Sequence, residues 1–260
     1  MMELWEQAAE RSRHAAACGA LAPWSTREIT VDDEGIAFSV RVVSSLAAKR
    51  AATGKGRNPF LEPEPDLIVA SEWAPDHRLL LNKFPVLDDH LLIVTRAFVP
   101  QVGLLDEGDF QALLDVLVAT DGLGFYNAGP DAGASQPHRH LQVVRTPIGT
   151  TGGRFPTEAR LMDGSAPFPF AAAPMPAAAD AARAAYVGLL ERIGRPAAWN
   201  LLATRDLLAV VPRVREAVGA VSVNALGYAG SLFAGNEAEL EEVRRNGPCA
   251  MLRAVAGGVT

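Results

Sequence analysis

The chain has five histidines, and two of them stand one residue apart in the segment YNAGPDAGASQPHRHLQVV, residues 126–144. On a strand, residues two apart point to the same side. His138, His140 and Gln142 therefore share one face, and Arg139, Leu141 and Val143 point the other way. Two imidazoles and an amide on one face have three outlets. The first is structural, a pair of satisfied histidines at a sheet edge. The second is a metal, because His-x-His offers two neutral nitrogens at chelating distance. A catalytic zinc needs a third ligand, however, and His77 and His90, both read as turn residues, stand in no ligand motif. The third is covalent chemistry: a neutral imidazole nitrogen can attack phosphorus to give a phosphoramidate, which splits one hard transfer into two easier ones.

The third outlet explains most of the segment, because attack on phosphorus needs a donor-rich cradle for the phosphate oxygens. The stretch from Asn127 to Gln136 supplies one. Gly129, Gly133, Ala134 and Ser135 allow close backbone approach, and Asn127, Ser135 and Gln136 add side-chain donors. A polyphosphate also needs cations. Lys83, set among apolar strand residues just before a turn, and Lys55, in a Gly-rich loop able to close over a substrate, are the candidates, with Asn82 beside Lys83. Asp88, Asp89 and His90 read as turn residues without a catalytic role.

These residues need a scaffold. Residues 2–18 carry a helical pattern, and 28–45 read as two strands around Asp-Glu-Gly. Residues 49–66, rich in Gly, Pro and charge, form a long loop. LIVASEW, RLLLNKF and LLIVTRA follow in close order with turn-like spacers, an antiparallel meander. A helix spans 106–120 with Asp106 as N-cap, then GLGFYN and HRHLQVVR are strands flanking the loop. Residues 146–176 lack periodicity and read as a boundary or wandering loop; a helix covers 177–193, and strand-turn-strand and two helical stretches close the chain. A weak internal echo pairs LLLNKFPVLDDHLLIVTRAFVP with WNLLATRDLLAVVPR, and FYNAGPDAGASQP with VNALGYAGSLF, a second copy without histidine.

Composition narrows the partners. A net charge of −6 without a long basic run argues against gripping nucleic acid by its phosphates. No segment approaches the roughly 18–20 uninterrupted apolar residues of a membrane span. The first residues lack the basic-then-apolar layout of a secretory signal. Cys18 and Cys249, at opposite ends, suit a reducing cytoplasm and show no zinc spacing.

The segment NAGPDAGASQPHRHLQ closely resembles the active-site stretch of the ATP adenylyltransferases, also called diadenosine tetraphosphate phosphorylases. These are histidine-triad proteins in the branch related to galactose-1-phosphate uridylyltransferase. GKGRNPF, LLLNKFPVLDDHLLIVTR, WNLLATRD and NALGYAGSL extend the resemblance, in order, from about residue 50 to 235. It implies an α+β fold: an antiparallel sheet of two degenerate histidine-triad-like halves with packed helices. That would be one domain over 1–260, with a catalytic first half at about 25–146 and a degenerate second half at about 177–260.

It also implies that His140 takes AMP from the dinucleotide and releases ATP, and that inorganic phosphate then yields ADP. His138 orients the site, and Gln142 hydrogen-bonds the phosphoryl group, where hydrolases of the superfamily carry His. Asn58 is assigned to the nucleotide pocket by the resemblance alone. The partners implied are nucleotides (diadenosine tetraphosphate, ATP, ADP) and phosphate, acting on a cytoplasmic monomer or dimer. No cofactor is required beyond Mg2+ accompanying the nucleotide, and no protein-bound metal is expected. ADP-sulfate-type adenylyl transfer and dinucleoside polyphosphate hydrolysis are the alternatives.

Overall fold

Eight strands, each antiparallel to its neighbours, form the sheet that carries the histidine pair, in the order β3 (Ile68–Trp73), β4 (His77–Leu81), β5 (Leu91–Thr95), β7 (His140–Val144), β6 (Leu123–Ala128), β9 (Ala198–Ala203), β10 (Leu207–Arg213) and β8 (Ala171–Pro174). The computed structural model describes residues 3–43, 58–149 and 153–258, with seven helices and thirteen strands among them. The meander expected between residues 67 and 97 is present as β3 (Ile68–Trp73), β4 (His77–Leu81) and β5 (Leu91–Thr95). The central strands β6 (Leu123–Ala128), β7 (His140–Val144) and β9 (Ala198–Ala203) are buried along their whole length, so both faces of the sheet are covered. β10 (Leu207–Arg213) and the edge strand β8 (Ala171–Pro174) complete it.

Three helices cover one face: α1 (Leu4–Ala17), α2 (Glu107–Thr120) and α4 (Ala179–Arg192). They pack on Leu79, Ile93, Leu141, Val143, Tyr126 and Leu201. Asp106 caps α2 as its position predicts: its carboxylate accepts from Asp109 N, and Asp109 accepts from Asp106 N, both at 2.9 Å. On the other face, Phe125, Val144, Leu202 and Val211 meet a three-stranded sheet of β1 (Thr26–Asp33), β2 (Ile36–Val43) and β13 (Ser231–Ala234). The tight turn between β1 and β2 sits on Glu34 and Gly35, with φ of 49° and 77°, the pairing that suits a two-residue hairpin. α5 (Ala225–Tyr228), α6 (Glu237–Asn246) and α7 (Pro248–Val255) close this side, and a minor ribbon joins β11 (Ala217–Val218) to β12 (Val221–Ser222). Over β4, β5 and β7 that cover gives way to a small cluster of Phe60, Leu80, Leu92 and Val94.

Two expectations need correction. Residues 146–176 are not structureless, since they hold α3 (Glu158–Met162) and β8. Buried Phe155 and Phe168 anchor them, Thr157 Oγ1 donates to Tyr228 O at 2.5 Å, and Arg154 pairs with Glu158 and Asp206. Isolated anchors between turns leave no period to read. The internal echo is also only half realised. β4–β5 and β9–β10 are both hairpins, but VNALGYAGSLF folds as α5 and β13, and β13 leaves the main sheet to run parallel with β2.

Candidate active site

β7 emerges between β5 and β6 with His140 opposite Val94 and Gln142 opposite Leu92 and Phe125. The rings of His138 and His140 both meet Phe60, at centroid distances of 5.7 and 5.1 Å, so they do share a face. Arg139 points to the helical face, where its guanidinium binds buried Asp109 at 2.9 Å, and the same carboxylate takes His77 Nε2–H at 3.0 Å. His77 is thus not a turn residue but the first residue of β4 and part of a buried charge cluster behind the site.

The two histidines have assigned tautomers, because each meets a carbonyl that can only accept. His140 Nδ1–H donates to His138 O at 2.8 Å, which leaves the Nε2 lone pair for chemistry. His138 Nε2–H donates to Thr95 O at 2.8 Å, with Thr95 Oγ1 also 3.0 Å away. Its Nδ1 accepts from Asn58 Nδ2 at 3.0 Å. With three of the four ring nitrogens committed, the pair does not present two nitrogens to one metal. Burial pushes the His140 imidazole down to about 4, so the ring is neutral at pH 7. His138 is also lowered, chiefly by burial and further by the nearby Arg78 cation. Arg78 lies on β4, and its buried Nε has no hydrogen-bond partner among the described residues.

A side chain separates the strands at this point. The β6–β7 ladder runs Leu123↔Val144, Gly124↔Val143 and Phe125↔Gln142, then stops. Carried on past Tyr126 and Leu141, the same register would bring Asn127 opposite His140, and the amide of Gln101 stands between those two. Gln101 Oε1 accepts from His140 N at 2.8 Å, and its Nε2 donates to Asn127 O at 2.9 Å and His140 O at 3.2 Å. Beyond it, Gly129, Ala134, Ser135 and Gln136 line a cavity of about 350 Å³ with Phe98, whose ring is T-shaped to that of His138 with 5.4 Å between centroids.

The remaining loop residues are placed differently from the sequence expectation. Asn127, expected as a donor, is anchored by its side-chain oxygen: Oδ1 accepts from Asn200 Nδ2 at 2.8 Å and from Ala225 N at 3.0 Å. Gly133 has φ 85°, and a Cβ there would lie 2.9 Å from Val223 O and Asn224 Cβ, so its glycine serves packing against the second half. Lys83, 38% exposed, pairs with Glu64 at 2.5 Å and makes no contact with the histidines among the described residues. Lys55 lies outside the described residues. Asn82 and His90 turn out to be linked to Gln142. Asn82 Oδ1 accepts from Phe84 N at 3.1 Å, its Nδ2 meets His90 Nδ1 at 3.2 Å, and His90 Nε2 meets Gln142 Oε1 at 2.9 Å. His90, read as a turn residue without a catalytic role, follows the turn instead, with its ring buried beside Phe125 and in reach of β7 at Gln142.

Sequence reasoning passed over Gln101, Phe60, Arg78 and His90. Only Phe60 had a local signal, its place in NPF beside Asn58. The others act through partners far along the chain.

A neutral imidazole nitrogen held for attack beside such a loop is what a nucleotidyltransferase needs, and comparison with known proteins narrows the class. The Ap4A phosphorylase N-terminal domain matches residues 1–163 and the ATP adenylyltransferase C-terminal domain residues 165–257, so the chain belongs to the Ap4A phosphorylase family. Diadenosine 5',5'''-P1,P4-tetraphosphate phosphorylase 2 of Saccharomyces cerevisiae is 27% identical over 253 residues, 80% of this chain and 78% of its own length. Protein APA1 of the same yeast is 28% identical over 73% of this chain and 72% of its own. The crystal structure of yeast Ap4A phosphorylase Apa2 in complex with AMP superposes with a TM-score of 0.85 at 25% identity, covering 100% of this chain and 99% of that one. Apa2 in complex with Ap4A, at 24% identity and a TM-score of 0.81, shares the fold over 98% of both chains.

Proposed function

We propose that the protein catalyses phosphorolysis of diadenosine tetraphosphate to ADP and ATP, and the reverse, through an adenylyl group carried on His140. The observation that carries this reading is the fixed tautomer of His140. Its Nδ1–H is held by a backbone carbonyl at 2.8 Å and its Nε2 is unprotonated at neutral pH. In the first step Nε2 bonds to the terminal adenylyl phosphorus as the bond from that phosphorus to the bridging oxygen breaks, and ATP leaves. The His138 carbonyl stabilises the positive charge that develops on the ring. In the second step a phosphate oxygen bonds to the same phosphorus, the P–N bond returns its electron pair to Nε2, and ADP departs. Family membership and the yeast Ap4A phosphorylases support the choice of substrate.

In this scheme His138, braced by Asn58 and Thr95, sets the carbonyl that holds His140. Gln142 donates to the transferring phosphoryl group. Arg78 and, from the Gly-rich loop, Lys55 neutralise polyphosphate, with Mg2+ entering only as the counter-ion of the nucleotide. The whole chain works as one catalytic unit, because β6 pairs with β9 and the loop before His138 rests on residues from both matched segments. We place it in the cytoplasm, as a monomer or dimer; no helix among the described residues is long and apolar enough to cross a membrane.

The test is to incubate the protein with diadenosine tetraphosphate, with and without phosphate, and separate the nucleotides. ADP plus ATP only when phosphate is present, and an acid-labile adenylyl-protein absent from His140→Ala, are expected. Steady release of AMP plus ATP without phosphate would make it a hydrolase, and adenylylation of the His140→Ala protein would overturn the assignment.

A further inference from the structure

Two Asn-x-Phe sequences, Asn58-Pro59-Phe60 and Asn82-Lys83-Phe84, build the same device in different parts of the chain. In each, the asparagine oxygen accepts from the backbone N–H of the phenylalanine two residues on, at 2.9 Å for Phe60 and 3.1 Å for Phe84. A backbone N–H can only donate, so the orientation of each amide is settled without ambiguity. Each Nδ2 must then face outward as a donor, and each meets the Nδ1 of a histidine, His138 at 3.0 Å and His90 at 3.2 Å. Each histidine is thereby protonated on Nε2. His138 spends that proton on the carbonyl of Thr95, and the chain of bonds ends there. His90 spends it on Gln142 Oε1 at 2.9 Å, and Gln142 is itself a two-ended amide.

The direction of the second relay therefore passes to Gln142. With Oε1 occupied by His90, the Gln142 NH2 is the end left on the face that carries His140. No described residue accepts a hydrogen bond from it. We propose that Asn82 and His90 are positioning residues that lock Gln142 with its NH2 toward the reacting phosphorus, and so favour phosphate over water as acceptor of the adenylyl group. This rests on the phosphorolysis reading given above.

The chemical reason is the difference between the two acceptors. Phosphate arrives as an anion with a nucleophilic oxygen already deprotonated, and it needs donors to bring its charge beside a second phosphoryl group. Water must lose a proton as its oxygen bonds to phosphorus, and it needs an acceptor nearby. An amide showing only N–H helps the first and gives nothing to the second. Turned over, the same amide would set a carbonyl oxygen against the incoming anion and offer water a hydrogen-bond acceptor.

The experiment charges the protein with diadenosine tetraphosphate, isolates the adenylyl-protein, and discharges it in buffer with and without inorganic phosphate. The readout is the ratio of AMP to ADP, which a general loss of stability does not move. Removing one hydrogen bond to a charged group suggests a ratio raised about tenfold in His90→Phe, with adenylyl-protein still formed. Asn82→Ala should move it the same way by less. His90→Gln, whose amide can accept from Asn82 and donate to Gln142, should return it toward the parent value. If His90→Phe does not fold, Asn82→Ala at its half-buried turn decides by the same ratio. An unchanged ratio in a variant that still adenylylates overturns the proposal alone, whereas a parent that forms no adenylyl-protein overturns the phosphorolysis reading beneath it.

Discussion

Replacing Gln101 by Ala tests whether a side-chain amide holds the catalytic strand open. The parent amide satisfies three buried backbone groups, the N–H and C=O of His140 and the C=O of Asn127. Gln101 itself is held by its own backbone: its N–H donates to Pro137 O at 2.8 Å, and its carbonyl accepts from Tyr126 OH. The alanine variant keeps those bonds and loses only the wedge. At about 1 kcal/mol for each bond lost, the cost is about 3 kcal/mol. For a chain of this size that is a fall in Tm of about 6–12 °C. The kinetic cost follows from position, since His140 would lose the contacts that place its backbone beside the loop. A displacement near 1 Å at a nucleophile costs about a hundredfold in rate.

Gln101→Glu separates wedge from chemistry. Its carboxylate still accepts from His140 N but faces the carbonyls of Asn127 and His140 with no proton to give. Protonation restores one donor, so the deficit of this variant should shrink as pH falls toward 5, where the parent is still neutral at His140. The assays are urea unfolding and single-turnover formation of adenylyl-protein against pH. Gln101→Ala within about 0.5 kcal/mol of the parent and adenylylating at the parental rate would refute the reasoning. So would a Gln101→Glu deficit that ignores pH.

Two further outcomes follow from the site. Burial holds His140 down to about 4, so adenylylation should be level from pH 8 to about 5 and fall only as pH approaches 4; a midpoint near 6.5 would refute the neutral, buried ring. The same depression acts on folding: above the unfolded value of about 6.5 neither state is protonated, and as pH falls toward 4 the unfolded chain takes up the proton first. Stability measured by urea should therefore decline through that window, by as much as about 3 kcal/mol from this ring. On the opposite face, Asp109→Asn leaves the buried Arg139 guanidinium with no carboxylate among the described residues nearer than exposed Asp106 at 4.0 Å, and should cost about 3–5 kcal/mol in urea unfolding; an unchanged midpoint would refute it.

Features that depend on neighbours in sequence could be read before the structure was known. The shared face of His138, His140 and Gln142 follows from strand geometry, and the meander and the Asp106 cap follow from local pattern. What escaped is long-range. Gln101 acts on a residue 39 positions away, and His90 on one 52 away, so no local window shows either pairing. Asp88-Asp89-His90 reads as a turn, and the first two residues do make one, with Asp89 at φ 52°, but the burial of His90 depends on Phe125 and Gln142 far along the chain. The loop position of Asn127 is legible, but the partners that fix its amide, Asn200 and Ala225, lie 73 and 98 positions away. Lys83 lies past the end of β4, where strand alternation no longer says which way a side chain points, and its partner Glu64 is 19 positions away.

The histidine-free second half has a use that the sequence echo did not suggest. Asn200 on β9 donates to Asn127 Oδ1 at 2.8 Å and to Ala132 O at 2.9 Å. Arg213 on β10 donates to Asn200 Oδ1 at 2.6 Å and to Ala132 O at 3.2 Å, with its other nitrogen held by the carbonyls of Arg215 and Glu216. Asn224 and Val223 press on Gly133 closely enough to forbid a Cβ. All three contacts fall on the loop that leads into His138, and all come from beyond residue 165, in the segment matched by the second family domain. The segment beyond residue 165 therefore sets the conformation of the loop beside His140. A buried guanidinium fixed by four carbonyl-type acceptors is well suited to that, because its bonds tie together three stretches of chain, at Ala132, Asn200 and Arg215–Glu216.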